Sequence, residues 1–494
     1  MEMPKKKPNI IVVMLDSLRP DHLGCYGCEV AKTPNIDKLA EQGITFTNAY
    51  AEYPITIPTR TALMAGIYTH TSRTWKPMTP YDLHLTNLLK RKGYKTALFG
   101  DSPMTIDTFN CHVGFDAFKH SLYGKVQLVV PGAANIKSIN IDDYFWGKEL
   151  LDADKEYGEE TLIVEQAILK ATVANENYLQ KTQGLRRAEL VSNWALEWLE
   201  EVEKEKEPFF LWIDHFEPHE PWFAPEDFLS PFKDLMDESY GHCPMPPSNA
   251  SLLPKGVIQN LLAHVHATNY EVDREVGRIT QKIDELGLTD ETIFIIISDH
   301  GEPYGEHGTL RKYGVPIYDE LAKIPFIVKG PGLEKGRKLD TLLTTPDIAG
   351  FLLETAGSRI HRNMEALSLF PAIEDKNSTT DSIHDMIFIG AFQIRAGCRT
   401  PRWKYIDNRG EKGGLDELYD MMKDPEEKNN LINDELEIAK ALSRDVWEFG
   451  MQYSRQLAFR DHPLHPFARI KIKEVMGKNF QKVRKENDKP PYPS

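Results

Sequence analysis

The sequence predicts an α/β fold: one large, mostly parallel sheet sandwiched by helices, followed by a smaller C-terminal α+β domain containing an antiparallel sheet. Three observations carry this expectation. Short, fully apolar segments run into an acid; amphipathic stretches separate these segments; and the alternation changes after about residue 375. Segments that are apolar throughout suit strands covered on both faces, and alternation with helices is the mark of a parallel sheet.

Asn9 to Leu15 is the first such strand and ends in Asp16. Thr33 to Gln42 carries apolar residues at helical spacing and stops at Gly43. Thr56-Ile57-Pro58-Thr59-Arg60 places a hydroxyl at a helix start, with a proline suited to the first turn and an arginine one turn on. Asp82 to Lys92 is a helix closed by Gly93, and Lys95 to Gly100 is a strand leading to Asp101. Residues ~120–185, which contain Tyr144-Phe145-Trp146, break the rhythm and read as an insertion, either a lid or specificity element or a surface elaboration. The charged helix Ala188 to Lys206 feeds a strand, Pro208 to Ile213, that ends in Asp214-His215. Residues ~226–256, rich in Pro, Ser and Met, read as a long loop. The helix Tyr270 to Leu286 then feeds Thr292 to Ser298, which ends in Asp299-His300. The catalytic domain is thus expected over 1–375 and the smaller one over 376–494. In the latter, Met386 to Gly390 and Trp403 to Ile406 read as strands, Glu435 to Met451 as a helix, and Arg469 to Lys489 as a solvated basic tail.

Composition narrows the class. The 494 residues are 41% hydrophobic and 27% charged, with a formal charge of −15, which argues against a nucleic-acid polymer as partner. A small anionic ester remains compatible, because a metal and a few local cations reverse the field inside one cleft. No apolar run approaches the ~20 residues of a membrane span. Ile10 to Leu15 is shorter than the ~7–15 residues of a signal-peptide core. The five cysteines, an odd and scattered set, fit reduced thiols, and the expected location is cytoplasmic. An oligomer is compatible with the sequence.

In open α/β sheets ligands bind beyond the carboxyl ends of the strands. Four strands each deliver an acid there: Asp16, Asp101, Asp214 and Asp299. One would be an ordinary turn former; four imply a shared acidic mouth. Two carboxylates and the His300 imidazole make a divalent-metal set, and a threonine beside it makes a nucleophile. The expected metal ligands are Asp16, Thr56, Asp299 and His300. An imidazole in the set moves preference from calcium toward manganese, zinc or iron. A second metal, on Asp214, His215 and His219 with His462 or His465 as distal ligands, is a further possibility.

Several segments together resemble the sulfatase branch of the alkaline phosphatase superfamily. They are Pro8 to Asp16 with Asp21-His22-Leu23-Gly24-Cys25-Tyr26-Gly27, then Thr56-Ile57-Pro58-Thr59-Arg60 at the Cys/Ser-x-Pro-x-Arg nucleophile motif. Next come Pro218-His219, Ser298-Asp299-His300-Gly301-Glu302, Gly305-Glu306-His307-Gly308 with Lys312, and Glu417-Leu418-Tyr419-Asp420. The resemblance implies an alkaline-phosphatase-like fold. It also implies catalytic roles for Thr56, Arg60, His219 and Lys312, with His219 protonating the leaving group. Asp101, Asp214 and His215 are candidates for the substrate side, and Trp75 and Trp222 for the lining.

Three positions depart from the family pattern. Thr56 stands where the family converts Cys or Ser to formylglycine; Ser17 replaces a second aspartate; and Asp101-Ser102-Pro103 replaces a Lys-x-His that grips sulfate. A formylglycine hemiacetal expels sulfate by elimination, whereas a threonine sulfate ester has to be hydrolysed directly. On that ground the expectation is a phosphodiesterase or phosphonate/phosphate monoester hydrolase working by double displacement through Thr56. The alternative is a sulfatase acting without formylglycine, and the second alternative a non-catalytic binding protein.

Overall fold

β1 (Asn9–Leu15), buried along its whole length, runs parallel to β5 (Phe209–His215) on one side and to β6 (Thr292–Ile297) on the other. Around it the computed structural model builds an eight-stranded sheet in the order β4-β3-β5-β1-β6-β7-β2-β8. Here β2 is Ile44–Tyr50, β3 Lys95–Gly100, β4 Ala117–His120, β7 Lys323–Lys329 and β8 Arg337–Thr344. All pairs are parallel except those of β7, which runs against both β6 and β2. The residues described are 7–73, 75–101, 109–121, 159–312, 317–375, 383–391, 395–408 and 415–459.

The period-2 alternation of strands divides the core into two layers. Ile10, Val12, Met14, Phe210, Trp212 and Ile297 face one layer, where they meet Leu63, Met64 and Ala65 of the helix α2 (Thr56–Ala65). Ile11, Val13, Leu15, Phe99, Leu211 and Ile213 face the other, against Val191 and Leu199 of the helix Arg187–Glu205 and Val272 and Val276 of the helix Lys255–Glu285. Continued to the strand ends, the same alternation sends Asp16, Asp214 and Asp299 toward α2, and Asp101 and His215 to the opposite layer.

Beyond this sheet, β9 (Ile387–Ala391), β10 (Arg395–Arg399), β11 (Trp403–Asp407) and β12 (Glu417–Asp420) form an antiparallel sheet in the order β12-β11-β10-β9. Ala439, Leu442 and Val446 of the helix Leu436–Phe459 cover it. Lys404 of β11, 1% exposed, bonds Asp319 at 2.8 Å and Glu427 at 2.7 Å, which ties this sheet to the segment leading into β7.

Besides β2, β4, β7 and β8, which the sequence left unassigned, the structure departs from expectation in three places. The helix expected from Tyr270 begins at Lys255, inside the stretch read as loop; polar residues such as His264 and His266 on its first turns hide an apolar face made by Val257, Leu261 and Val265. β10 went unseen because Arg395-Ala396-Gly397-Cys398-Arg399 lacks the branched and aromatic residues that mark strands. The insertion ends in a long helix, Glu159–Gln183, while Tyr144-Phe145-Trp146 and the basic tail lie outside the described residues. No described helix is long and apolar enough to cross a membrane.

Asp273, buried on the long helix, accepts the backbone N–H groups of Asn35 (3.0 Å) and Ile36 (2.8 Å) at the start of α1 (Pro34–Glu41). These amides have no partner within their own helix. Asp273→Ala is expected to cost about 1–3 kcal/mol, read as a lower urea midpoint, with Asp273→Asn losing less.

Candidate active site

α2 begins at Thr56, directly after extended Ile55, and all ten of its residues are buried. Arg60, 1% exposed, reaches back past the helix start and donates to the Thr56 carbonyl at 3.3 Å. Its guanidinium forks onto Asp214 (Nε–Oδ2 2.9 Å, Nη2–Oδ1 2.6 Å), bonds Asp16 Oδ2 at 2.9 Å and also bonds Asp299 Oδ2. Three acids from three adjacent strands therefore converge on one cation. Burial on this scale is tolerated only when charges are paired, and one guanidinium against three carboxylates leaves negative charge in excess. Burial and the neighbouring Asp299 push the Asp16 carboxyl well above its usual range. Burial also works against Asp299, but His300 and Arg60 hold it ionised and below its ordinary value.

Asp16, Asp299 and His300, each fully buried, offer ligand atoms that all lie within 4.8 Å of one another, and they are the one such group among the described residues. His300 Nδ1 lies 2.7 Å from the Gly301 carbonyl, which only accepts, so the lone pair sits on Nε2, 3.2 Å from Thr56 Oγ1. Burial lowers the His300 pKa to about 4, leaving that lone pair free for a cation. Two carboxylates, a neutral imidazole, a hydroxyl and unbalanced negative charge fit a divalent metal. Ser17, where a second aspartate would stand, adopts a left-handed backbone (φ +64°). From there its N–H bonds Asp299 Oδ1 at 3.0 Å and its hydroxyl bonds Asp16 Oδ1 at 2.9 Å. It orients both carboxylates and adds no charge.

Lys312 completes the site. Its Nζ is 2.6 Å from His219 Nε2, 3.3 Å from Glu302 Oε2 and 3.5 Å from Glu220 Oε2. His219 Nδ1 donates to the Glu220 carbonyl at 2.7 Å, so Nε2 accepts from the lysine. Burial lowers the His219 pKa to about 3, making the imidazole neutral. Glu302 is raised to about 8 by burial, with Lys312 opposing the rise. Sequence reasoning assigned no role to Glu302, Glu220 or Ser17. The available signal was adjacency: each lies within two residues of a motif residue.

Asp101 and His215 are not brought to the reaction centre. Asp101 Oδ1 accepts the Phe216 N–H at 2.7 Å, and burial with Glu217 nearby raises its carboxyl to about 7. Neither ring nitrogen of His215 has a hydrogen-bond partner among the described residues, and burial lowers its pKa to about 4. Asp214 spends both oxygens on Arg60, so Asp214, His215 and His219 do not assemble as a second metal group; His462 and His465 lie outside the described residues. Trp222 is fully buried, whereas Trp75 is 42% exposed and stands edge-on to Phe109.

The sulfatase family matches residues 8–358, and the C-terminal part of N-sulphoglucosamine sulphohydrolase matches residues 305–452. The arylsulfatase of Clostridium perfringens is 28% identical over 457 residues, covering 87% of this chain and 91% of its own. Human arylsulfatase K is 25% identical over 498 residues, covering 97% and 88%. Among solved structures, a protein in complex with its substrate D-glucosamine-2-N,6-O-disulfate superposes with a TM-score of 0.68 at 20% identity, over 92% of this chain and 99% of that one. The phosphonate monoester hydrolase of Agrobacterium radiobacter superposes with a TM-score of 0.65 at 21% identity, over 90% and 96%.

Metal binding to this charge-rich pocket should stabilise the fold. Manganese or zinc at a hundred times its Kd is expected to add about 2.7 kcal/mol, seen as a raised thermal midpoint. His300→Ala should abolish most of the rise; an unchanged rise in that variant contradicts the assignment.

Proposed function

The chain belongs to the sulfatase family, and we propose that it hydrolyses the sulfuric ester of a small sugar or aryl alcohol, with the unmodified hydroxyl of Thr56 as nucleophile. The observation that carries this is the placement of Thr56 Oγ1 at the start of α2, 3.2 Å from His300 Nε2 and beside the Arg60 cluster. The sulfatase names of the curated relatives and the sulfated sugar in the structural neighbour support sulfur over phosphorus. This reverses the preference drawn from Thr56 alone.

Asp16, Asp299 and His300 would hold the divalent ion, with Thr56 Oγ1 completing its shell; manganese, zinc or iron suits the imidazole better than calcium does. When bound, the ion supplies Lewis acidity that favours the deprotonated hydroxyl. Thr56 Oγ then attacks sulfur in line, the S–O bond to the alcohol breaks, and the leaving oxygen takes a proton from the Lys312–His219 pair. Because His219 is neutral, that proton starts on the Lys312 ammonium and is shared at 2.6 Å. The Thr56 proton passes to bulk water as the hydroxyl is deprotonated, so this half-reaction takes up one proton, releases one and leaves Lys312 as the neutral amine. Water next attacks the sulfo-threonine: the S–Oγ bond breaks, one water proton restores the Thr56 hydroxyl, the other returns to the neutral Lys312 amine, and sulfate leaves. Throughout, the amides at the start of α2 and the Lys312 ammonium face the charge that builds on the transferring group.

A second reading, phosphonate or phosphodiester cleavage, is favoured by one specific observation. Threonine lacks the aldehyde that lets sulfate depart by elimination, and phosphoryl-threonine hydrolysis needs no such exit. Both readings keep the same residues. We also propose a reducing, cytoplasmic location, the reading that the five scattered cysteines suggest.

The test is turnover of aryl sulfate, phosphonate monoester, aryl phosphodiester and phosphomonoester by manganese- or zinc-loaded protein. Sulfate is expected to be preferred, and Thr56→Ala to lower kcat by about 10³-fold or more. A preference for phosphorus esters with the same mutant loss would establish the second reading. Turnover unchanged in Thr56→Ala would remove the threonine from the mechanism.

A further inference from the structure

We propose that Asp101 is a positioning residue that sets the His219 imidazole through Phe216, a role that rests on the function proposed above for the Lys312–His219 pair. Asp101 is fully buried and lies in the layer opposite Arg60, so it touches neither substrate nor the acid cluster. Its backbone N–H bonds the Asp214 carbonyl at 3.3 Å, which fixes it to the end of β5. Its Oδ1 takes the Phe216 N–H at 2.7 Å, and the other carboxyl oxygen has no hydrogen-bond partner among the described residues.

Phe216 opens the turn that presents His219. The His219 N–H closes that turn onto the Phe216 carbonyl at 2.9 Å. The Phe216 ring lies against the imidazole with centroids 4.2 Å apart and planes 21° from parallel. Holding the Phe216 amide therefore holds both the backbone and the ring that His219 rests on. The next residue is held as well: Glu217 Oε1 accepts from Arg187 Nη2 at 2.7 Å, and Arg187 also pairs with Glu176 at 2.7 Å. The turn is thus clamped on two consecutive residues from behind the sheet, while Lys312 meets His219 from the front.

The clamp needs an acceptor at Asp101, not a charge. Its carboxyl is raised to about 7 by burial and by Glu217, and an amide oxygen would take the same N–H. This separates a positioning role from a substrate-gripping one. A position that binds an anionic ester directly would carry a cation, and loss of contact there would raise KM.

The experiment compares Asp101→Ala and Asp101→Asn with the parent, all metal-loaded, by aryl sulfate kinetics, thermal midpoint and the ¹⁵N signals of the His219 ring, assigned with His219→Gln. Asp101→Ala is expected to lower kcat by about 10–100-fold, as a misplaced catalytic group does, with KM little changed and the His219 signals displaced. Asp101→Asn should keep kcat within about threefold, a neutral hydrogen bond replacing a similar one, with parental His219 signals. Three results would overturn the proposal: a loss carried by KM, an Asn variant as impaired as the Ala variant, or His219 signals unmoved in folded Asp101→Ala. Should the parent show no sulfate turnover, the function proposed above fails, and the ring signals alone decide the role of Asp101.

Discussion

The buried contact of Arg60 with Asp16, Asp214 and Asp299 is the interaction on which the rest of the site depends. These acids end β1, β5 and β6, and nothing else among the described residues holds three carboxylates together so far from water. Removing one partner from a buried ionic group of this kind typically costs about 3–5 kcal/mol. Arg60 is also fixed to the start of α2 by the Thr56 carbonyl, so the same guanidinium registers that helix against the sheet. The surplus of carboxylate over guanidinium is the charge that a bound cation would offset. Electrostatics and geometry thus come from a single side chain.

Strand alternation then separates two kinds of work. Residues on the α2 face of β1, β5 and β6 meet Arg60. Residues one step out of phase, Asp101 and His215, enter the layer between the sheet and the helices Arg187–Glu205 and Lys255–Glu285. That layer carries the Arg187–Glu217 pair and the Asp101–Phe216 bond, which face the back of the turn bearing His219. The His219 imidazole is consequently supported from one layer and addressed by Lys312 from the other.

Much of this was legible in the sequence. Apolar strands ending in Asp16 and Asp299-His300, and the hydroxyl–proline–arginine spacing of Thr56 to Arg60, anticipated that the three acidic and imidazole groups lie together and that Thr56 starts a helix. The error over Asp101 came from treating four strand-end acids as equivalent. Which face an end residue takes depends on register, here Gly100 beside Asp214, and register is set by neighbours far away in the chain. The roles of Glu220 and Glu302 were hidden for a related reason. A carboxylate beside a lysine is an ordinary surface pair until both are buried, and burial is a property of the assembled loops. Chemistry at Thr56 read in isolation pointed to phosphorus, whereas the relatives that span the chain carry sulfatase names.

The claim that unites these observations is that an unmodified threonine, held at the start of a helix by an arginine it shares with three acids, carries the transferred group. Rapid acid quench of the metal-loaded protein during aryl sulfate turnover, followed by peptide mass mapping, tests it directly. A sulfuryl group on the peptide containing Thr56, absent from Thr56→Ala, is the predicted result. Turnover with Thr56 unmodified at every quench time, or with the group on another side chain, would contradict it.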